Sequence, residues 1–501
     1  MGLIMKNGNI SVNRIIQKKL IRVFSKSIMK RAISTSIIIL SIAFSLTAGA
    51  QAAIVTTTAA RPWVIQSVNF EKIKTEILVD LELFPQKKQQ AIKGFGGCFN
   101  EMGWSALNEL SQEEKQKVLN SFFDKDGCAF TLCRMPLGAN DYSMDWYSYN
   151  ETDGDFAMKN FSVLHDKKYL IPYIKEAQKI NPAISIWASP WCPPSWMKTN
   201  KHYACEAAKE NDLSPEKNGE EMITQFEMKP EYLSAYALYF KNFINAYQKE
   251  GIKISAVHPQ NEPNSCQKFP SCIWRPEDIA TFVGKYLGPE LDKNNIKTDI
   301  WLGTIERPNP ERVDTILQNM YAKKYIKGVG FQWGGKGAIA YVKQNYPQLQ
   351  LMQTETECGD GSNDWAAAEH TFELMKHYFA NGANAYMYWN MVLEEKGISR
   401  WGWKQNSMVS VNYATKTAIY NPEFYLMKHL SHFVKPGAYK IEQSGAYEDA
   451  VSFINTDGSV VILLANTTDA QKNLNIKSED KLLKVILPEK SFSTIIIQSK
   501  K

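Results

Sequence analysis

Through the middle of the chain, short apolar or β-branched runs alternate with longer stretches whose apolar residues recur every three or four positions. Runs of the first kind predict buried strands and those of the second amphipathic helices, and their strict alternation is the βα pattern of a parallel sheet. The strand-like runs fall at 95–99, 130–135, 184–189, 252–258, 299–303, 328–332, 349–354 and 385–389. Eight such units predict a closed (β/α)8 barrel. The helical segments carry start and stop signals. Ser111 and Glu114 have capping-box spacing ahead of the stripe Val118, Leu119, Phe122 and Phe123, with Gly127 as terminator. Pro230 opens a helix striped by Leu233, Tyr236, Phe240, Ile244 and Tyr247 up to Gly251, and Asp364 precedes another that runs to Gly382. These stripes read as core packing.

After about Asn412 the period changes. One helix is predicted at 422–429, followed by β-like runs at 451–455, 460–465, 474–476, 483–486 and 493–498, separated in places by turn sequences such as Asn455-Thr456-Asp457-Gly458. The stretch 54–84 has the same strand-like alternation. The expected fold is therefore α/β: a (β/α)8 barrel over 93–410 with an accessory all-β sandwich built from both ends of the mature chain, 51–92 and 411–501.

The first fifty residues differ from the rest. They hold eight Lys and Arg and no acid, and Lys30-Arg31 precedes an apolar run ending at Leu46 and the small residues Ala48-Gly49-Ala50. This is the pattern of a signal peptide whose working start is Met29, so an exported protein, periplasmic or extracellular, is expected. The apolar run is shorter than the roughly 20 residues of a bilayer span. Without the leader the formal charge of +6 becomes slightly negative, which removes any argument for nucleic acid. Export permits disulfides. Of the eight cysteines, Cys266 and Cys272 sit close enough in one loop to pin it, while buried free thiols are the alternative for the others.

Candidate chemistry gathers at the carboxyl ends of the predicted strands, where barrel enzymes react. His258-Pro259-Gln260-Asn261-Glu262-Pro263 follows the fourth strand and offers Glu262 as a general acid with Asn261 as a hydroxyl-binding neighbour. Thr354-Glu355-Thr356-Glu357 ends the seventh. Two carboxylates from different strands about 5 to 5.5 Å apart, facing one sugar, would give retaining glycoside hydrolysis, and a wider gap the inverting reaction. Glu355 and Glu357 are both open as the second acid at this point. Trp187, Trp191, Trp333 and Trp389 lie near other strand ends, and flat rings suit the apolar faces of pyranoses. Arg134 can orient a carboxylate, and Asp141 can accept from sugar hydroxyls. The sequence has no compact set of metal ligands and no convincing nucleotide loop, so no cofactor is expected. Gly94-Phe95-Gly96-Gly97 reads instead as close strand packing.

Several ordered motifs go further. Gly94-Phe95-Gly96-Gly97-Cys98-Phe99, Arg134-Met135-Pro136-Leu137-Gly138-Ala139-Asn140-Asp141-Tyr142-Ser143, Ala188-Ser189-Pro190-Trp191-Cys192-Pro193-Pro194-Ser195-Trp196, Gln260-Asn261-Glu262-Pro263 and Thr354-Glu355 together resemble glycoside hydrolase family thirty, which contains glucosylceramidases and microbial β-1,6-glucanases. The resemblance implies double displacement with Glu262 as acid/base and Glu355, rather than Glu357, as nucleophile. It places Asp141, Trp191, Asn261 and Trp389 around the bound sugar, with Arg134 supporting the acidic centre and Trp333 on the rim. Glucosylceramidase-like members carry a tyrosine after the sixth-strand tryptophan, where this chain has Trp333-Gly334-Gly335. That opens the rim, removes a hydrogen-bonding partner near the nucleophile and sets β-1,6-glucan ahead of a glycolipid. The expected partner is thus a β-linked oligo- or polysaccharide; glucosylceramidase-like, β-xylanase, β-galactanase and fucosidase activities, or polysaccharide binding without turnover, are the alternatives.

Overall fold

The computed structural model describes residues 52–72 and 77–499; the expected signal peptide lies outside them. Eight parallel strands close a barrel: β1 (Gly94–Cys98), β2 (Leu132–Pro136), β3 (Ser185–Ser189), β4 (Ile254–Val257), β5 (Asp299–Ile305), β6 (Ile326–Gln332), β7 (Gln350–Glu355) and β8 (Ala383–Asn390). Each overlaps a run predicted from hydrophobic pattern. The glycine-rich start of β1 meets its expected role, since a Cβ on Gly96 would lie 1.9 Å from the Leu132 carbonyl oxygen of β2.

The predicted helices form at Gln112–Phe123, Pro230–Lys249 and Trp365–Ala380. Ser111 and Asp364 cap the first and third by accepting from Glu114 N and Ala367 N. Their stripes enter the large core between helices and barrel, while Trp187, Trp301, Met352 and Met387 form a separate plug inside the barrel. Among the described residues no helix is long and apolar enough to cross a membrane.

The accessory domain is a β-sandwich whose ten strands hydrogen-bond in one order, with both chain ends contributing. Ala52–Thr58 pairs with Ser491–Ile497, and Leu81–Ala91 pairs with Tyr439–Ser444. The strand Val460–Asn466 explains how the unit is fixed in place. Its Val460, Ile462 and Leu464 enter the sandwich core, while Val461, Leu463 and Ala465 enter the core shared with the barrel. A strand buried on both faces reads as an uninterrupted apolar run. Two features were not foreseen: the strand Tyr439–Ser444 and a small sheet of Val392–Glu394, Val409–Asn412 and Thr417–Tyr420.

The Cys266–Cys272 bridge expected from spacing is not formed; both are free thiols. Ser271 closes that loop instead, its Oγ accepting from Gln267 N at 3.2 Å and lying 3.1 Å from the carbonyls of Gln267 and Phe269. Cys272 packs into the apolar core, and Cys266 turns toward Cys205 on the neighbouring segment.

Candidate active site

At the carboxyl end of the barrel a cavity of about 380 Å³ is lined by Asp141, Trp191, Asn261, Glu262, Trp333 and Glu355 among others. Six residues singled out from sequence therefore face one space. Its volume suits a small ligand.

Glu262 follows β4 in a left-handed backbone conformation with φ of 47°. That conformation is uncommon for a non-glycine residue and persists where its surroundings impose it. Glu262 N meets both the carbonyl and the hydroxyl of Thr304 at 3.2 Å, and Asn261 N donates to Pro190 O at 2.7 Å. Neighbouring strands thus template the turn. Glu355, the last residue of β7, is 5% exposed.

Gln332, at the end of β6, joins the two acids. Its amide nitrogen donates to Glu262 Oε1 at 2.9 Å and to Glu355 Oε2 at 3.2 Å. Two oxygens within 2.9 and 3.2 Å of one nitrogen are at most about 6.1 Å apart, short of the ~6.5 to 9.5 Å that admits a water between the acids and compatible with direct attack by one of them.

The environments of the two acids differ. Arg134 Nη1 donates to Glu355 Oε2 at 2.8 Å, and Trp333 Nε1 donates to Glu355 Oε1 at 3.1 Å. Glu262 has no cation in contact; its carboxyl meets the Gln332 amide and the Ser265 hydroxyl. Burial raises the proton affinity of both. It pushes Glu355 up to about 7, with Arg134 pulling it back and Glu262 pushing it higher. Burial also pushes Glu262 above the ordinary range, opposed by the two hydrogen bonds. When the pair carries one proton and one charge, contact with Arg134 favours the charge on Glu355 and leaves the proton on Glu262. That is the division a nucleophile and a general acid require.

Arg134 is fully buried. It also donates to Asn261 Oδ1 at 2.6 Å and to Ser189 Oγ at 2.9 Å, and its guanidinium lies 4.4 Å from the Trp191 ring and 5.1 Å from that of Trp389. Trp389 was expected against the sugar. It is fully buried beside Trp191, ring centroids 5.1 Å apart, and its indole Nε1 has no protein partner. Asp141 does line it, is 4% exposed, and has an Oδ1 with no protein partner. Burial and the two glutamates push its carboxyl well above the usual range.

Glu357 lies elsewhere. It accepts from Lys336 Nζ at 2.5 Å and pairs with His370 Nε2 at 2.9 Å, partners that outweigh burial and hold its carboxyl below the ordinary range. The sequence reading overlooked Gln332, Glu306, Phe269, Trp403 and Gln405, all at or lining this site. Trp401-Gly402-Trp403 was the available signal for the last pair. The glycines after Trp333 also have a structural cause, since a Cβ on Gly334 would meet Glu306 O at 2.9 Å. Among the described residues no group of three or more His, Cys, Asp or Glu is placed to hold a metal.

The model for the glycosyl hydrolase family 30 TIM-barrel domain matches residues 92–434, and that for the family 30 β-sandwich domain matches 437–495. The chain is 26% identical over 459 residues to the lysosomal acid glucosylceramidase of Mus musculus, spanning 86% of this chain and 85% of that one. It is 25% identical over 403 residues to an endo-1,6-β-D-glucanase of Neurospora crassa, spanning 76% and 80%. Among solved structures, the endo-β1,6-glucanase BT3312 superimposes with a TM-score of 0.77 at 27% identity, covering 90% of this chain and 99% of that one.

Proposed function

The chain belongs to glycosyl hydrolase family 30, and on that premise we propose that it is an exported retaining β-glucosidase acting on glucan, with β-1,6-glucan as preferred substrate, Glu262 as acid/base and Glu355 as nucleophile. The observation that carries the reading is the Gln332 amide spanning both carboxylates. Glu355 attacks the anomeric carbon while Glu262 passes its proton to the glycosidic oxygen, so the sugar–oxygen bond breaks as the Glu355 ester forms. Water then gives a proton to Glu262 and its oxygen to the anomeric carbon, freeing Glu355 and restoring the β configuration. The orphan Oδ1 of Asp141 and the amide of Asn261 are the groups that take the donor sugar's hydroxyls, and Trp191 supplies an apolar wall.

The preference for glucan over a glycolipid rests on the missing side chain at Gly334 and on the endo-1,6-glucanase relatives. Export rests on the leader pattern.

The test is digestion of a defined panel of β-1,6-glucan, glucosylceramide, xylan and β-galactan, with proton NMR of the first-formed anomer. β-Anomeric products from β-1,6-glucan, abolished in Glu355→Gln, are expected. An α-anomer formed first, or turnover confined to glycolipid or xylan, would overturn the corresponding part.

A further inference from the structure

Beside the cavity lies a third buried acid that this chemistry does not use. Glu306 directly follows β5, is 2% exposed, and borders the cavity. Its Oε1 accepts from Asn264 N at 2.7 Å and from Ser265 Oγ at 3.3 Å. Asn264 and Ser265 belong to the turn that begins at Glu262, and Ser265 also bonds the Glu262 carboxyl. Its Oε2 is buried and has no partner.

We propose that Glu306 is a positioning residue for the acid/base: its carboxyl oxygen anchors the turn after Glu262 and holds that residue in the left-handed conformation from which it reaches the glycosidic oxygen. The end of β5 acts as a two-point clamp. Thr304 holds Glu262 N on one side, and Glu306 holds Asn264 N two residues on. A turn with an unfavourable φ at its functional residue relaxes when such a tether is cut. Relaxation displaces the proton donor and leaves Glu355, which is held from β7, in place.

The carboxyl acts here as an acceptor and a neutral one serves. Burial and the Glu262 charge push Glu306 up to about 8. The charged groups facing it are Glu262 and Arg307, whose Nη1 is 3.9 Å from Oε1. Glutamine keeps the carbonyl for Asn264 N, whereas leucine keeps the bulk and loses the acceptor.

The inference rests on Glu262 being the acid, so Glu262→Gln is run in parallel. The measurement is kcat/KM for two β-glucosides of the same donor sugar, a dinitrophenyl glycoside that leaves without protonation and an alkyl glycoside that needs it. Glu262→Gln should lose alkyl turnover selectively; if it does not, the assignment of Glu262 fails first. Glu306→Leu should lose about 100-fold on the alkyl glycoside and stay within about threefold on the dinitrophenyl one, while Glu306→Gln stays near wild type on both. Equal losses on both substrates, no loss, or a Gln variant as impaired as Leu would each overturn the proposal. If the Leu variant does not fold by circular dichroism, Glu306→Met, which likewise removes the acceptor for Asn264 N with a more adaptable side chain, should show the same selectivity, and an unselective effect there overturns it equally.

Discussion

Replacing Arg134 by methionine isolates the charge that separates the two carboxyls. The side chain is fully buried and touches Glu355 Oε2 at 2.8 Å, so its removal leaves a largely buried carboxylate without its cation. Breaking one side of a buried pair costs about 3 to 5 kcal/mol. At roughly 1.4 kcal/mol per pKa unit, that raises Glu355 by about two to three and a half units, from about 7 toward 9 or more. At pH 6 its ionised fraction then falls at least about 100-fold. The assay is the pH dependence of kcat/KM for a dinitrophenyl β-glucoside, whose departure needs no acid and which therefore reports the nucleophile alone. The acidic limb should move up by about two units. Stability should follow with a definite sign. The folded variant holds Glu355's proton further above the unfolded value than wild type does, so its added instability is smallest in acid and grows as pH rises from about 7 through the raised pKa. A folded variant whose acidic limb moves by less than about one unit would refute the assignment of Glu355 as the charge that Arg134 stabilises.

Other outcomes follow from the same geometry. Glu357→Gln should leave kcat/KM within about threefold of wild type, because Glu357 is engaged by Lys336 and His370, whereas an abolished rate there with an active Glu355→Gln would reverse the nucleophile assignment. Trp333→Phe removes the indole N–H that meets Glu355 Oε1 at 3.1 Å; a hydrogen bond to a charged group is worth about 1.5 to 3 kcal/mol, so kcat/KM should fall about 10- to 100-fold, and a smaller change argues against its role. Because contact with Arg134 keeps the charge on Glu355 and leaves the proton on Glu262, the pH profile with an alkyl glucoside should be bell-shaped, the acidic limb from protonation of Glu355 and the alkaline limb from loss of the Glu262 proton; with the dinitrophenyl glycoside the alkaline limb should vanish. Away from the site, Asp364→Ala should lower stability by about 1 kcal/mol, read as a lower urea midpoint at unchanged slope, with activity intact.

The barrel was legible because each strand is buried on both faces and must be written as an apolar run, and because Pro230, Ser111 and Asp364 mark helix starts chemically. The strand Tyr439–Ser444 and the small sheet at 392–420 were not, since each strand is short, three to six residues, and a run of that length carries too few positions for its period to stand out from a loop. The cysteine loop misled for a related reason. Spacing says which thiols are near along the chain, whereas Cys266 meets Cys205 across it.

The same distinction divides the site. Glu262, Asn261, Glu355, Arg134 and Asp141 stand in local motifs whose residue types already suggest chemistry. Gln332 and Glu306 stand in none, and their effect depends on partners from other strands: Gln332 lies 70 residues from Glu262, and Glu306 lies 42 from Asn264. A glutamine after an apolar strand and a glutamate before Arg307-Pro308 look like ordinary ends of barrel staves. Their meaning comes from closure, which sets β4, β5, β6 and β7 side by side and lets the tip of each constrain the next. The two acids are therefore set by a chain of neighbours, Thr304 and Glu306 holding the turn of Glu262, Gln332 spanning to Glu355, and Arg134 fixing the charge there. Substituting a spanning residue should then change how the proton and charge are shared between the acids before it changes whether substrate binds.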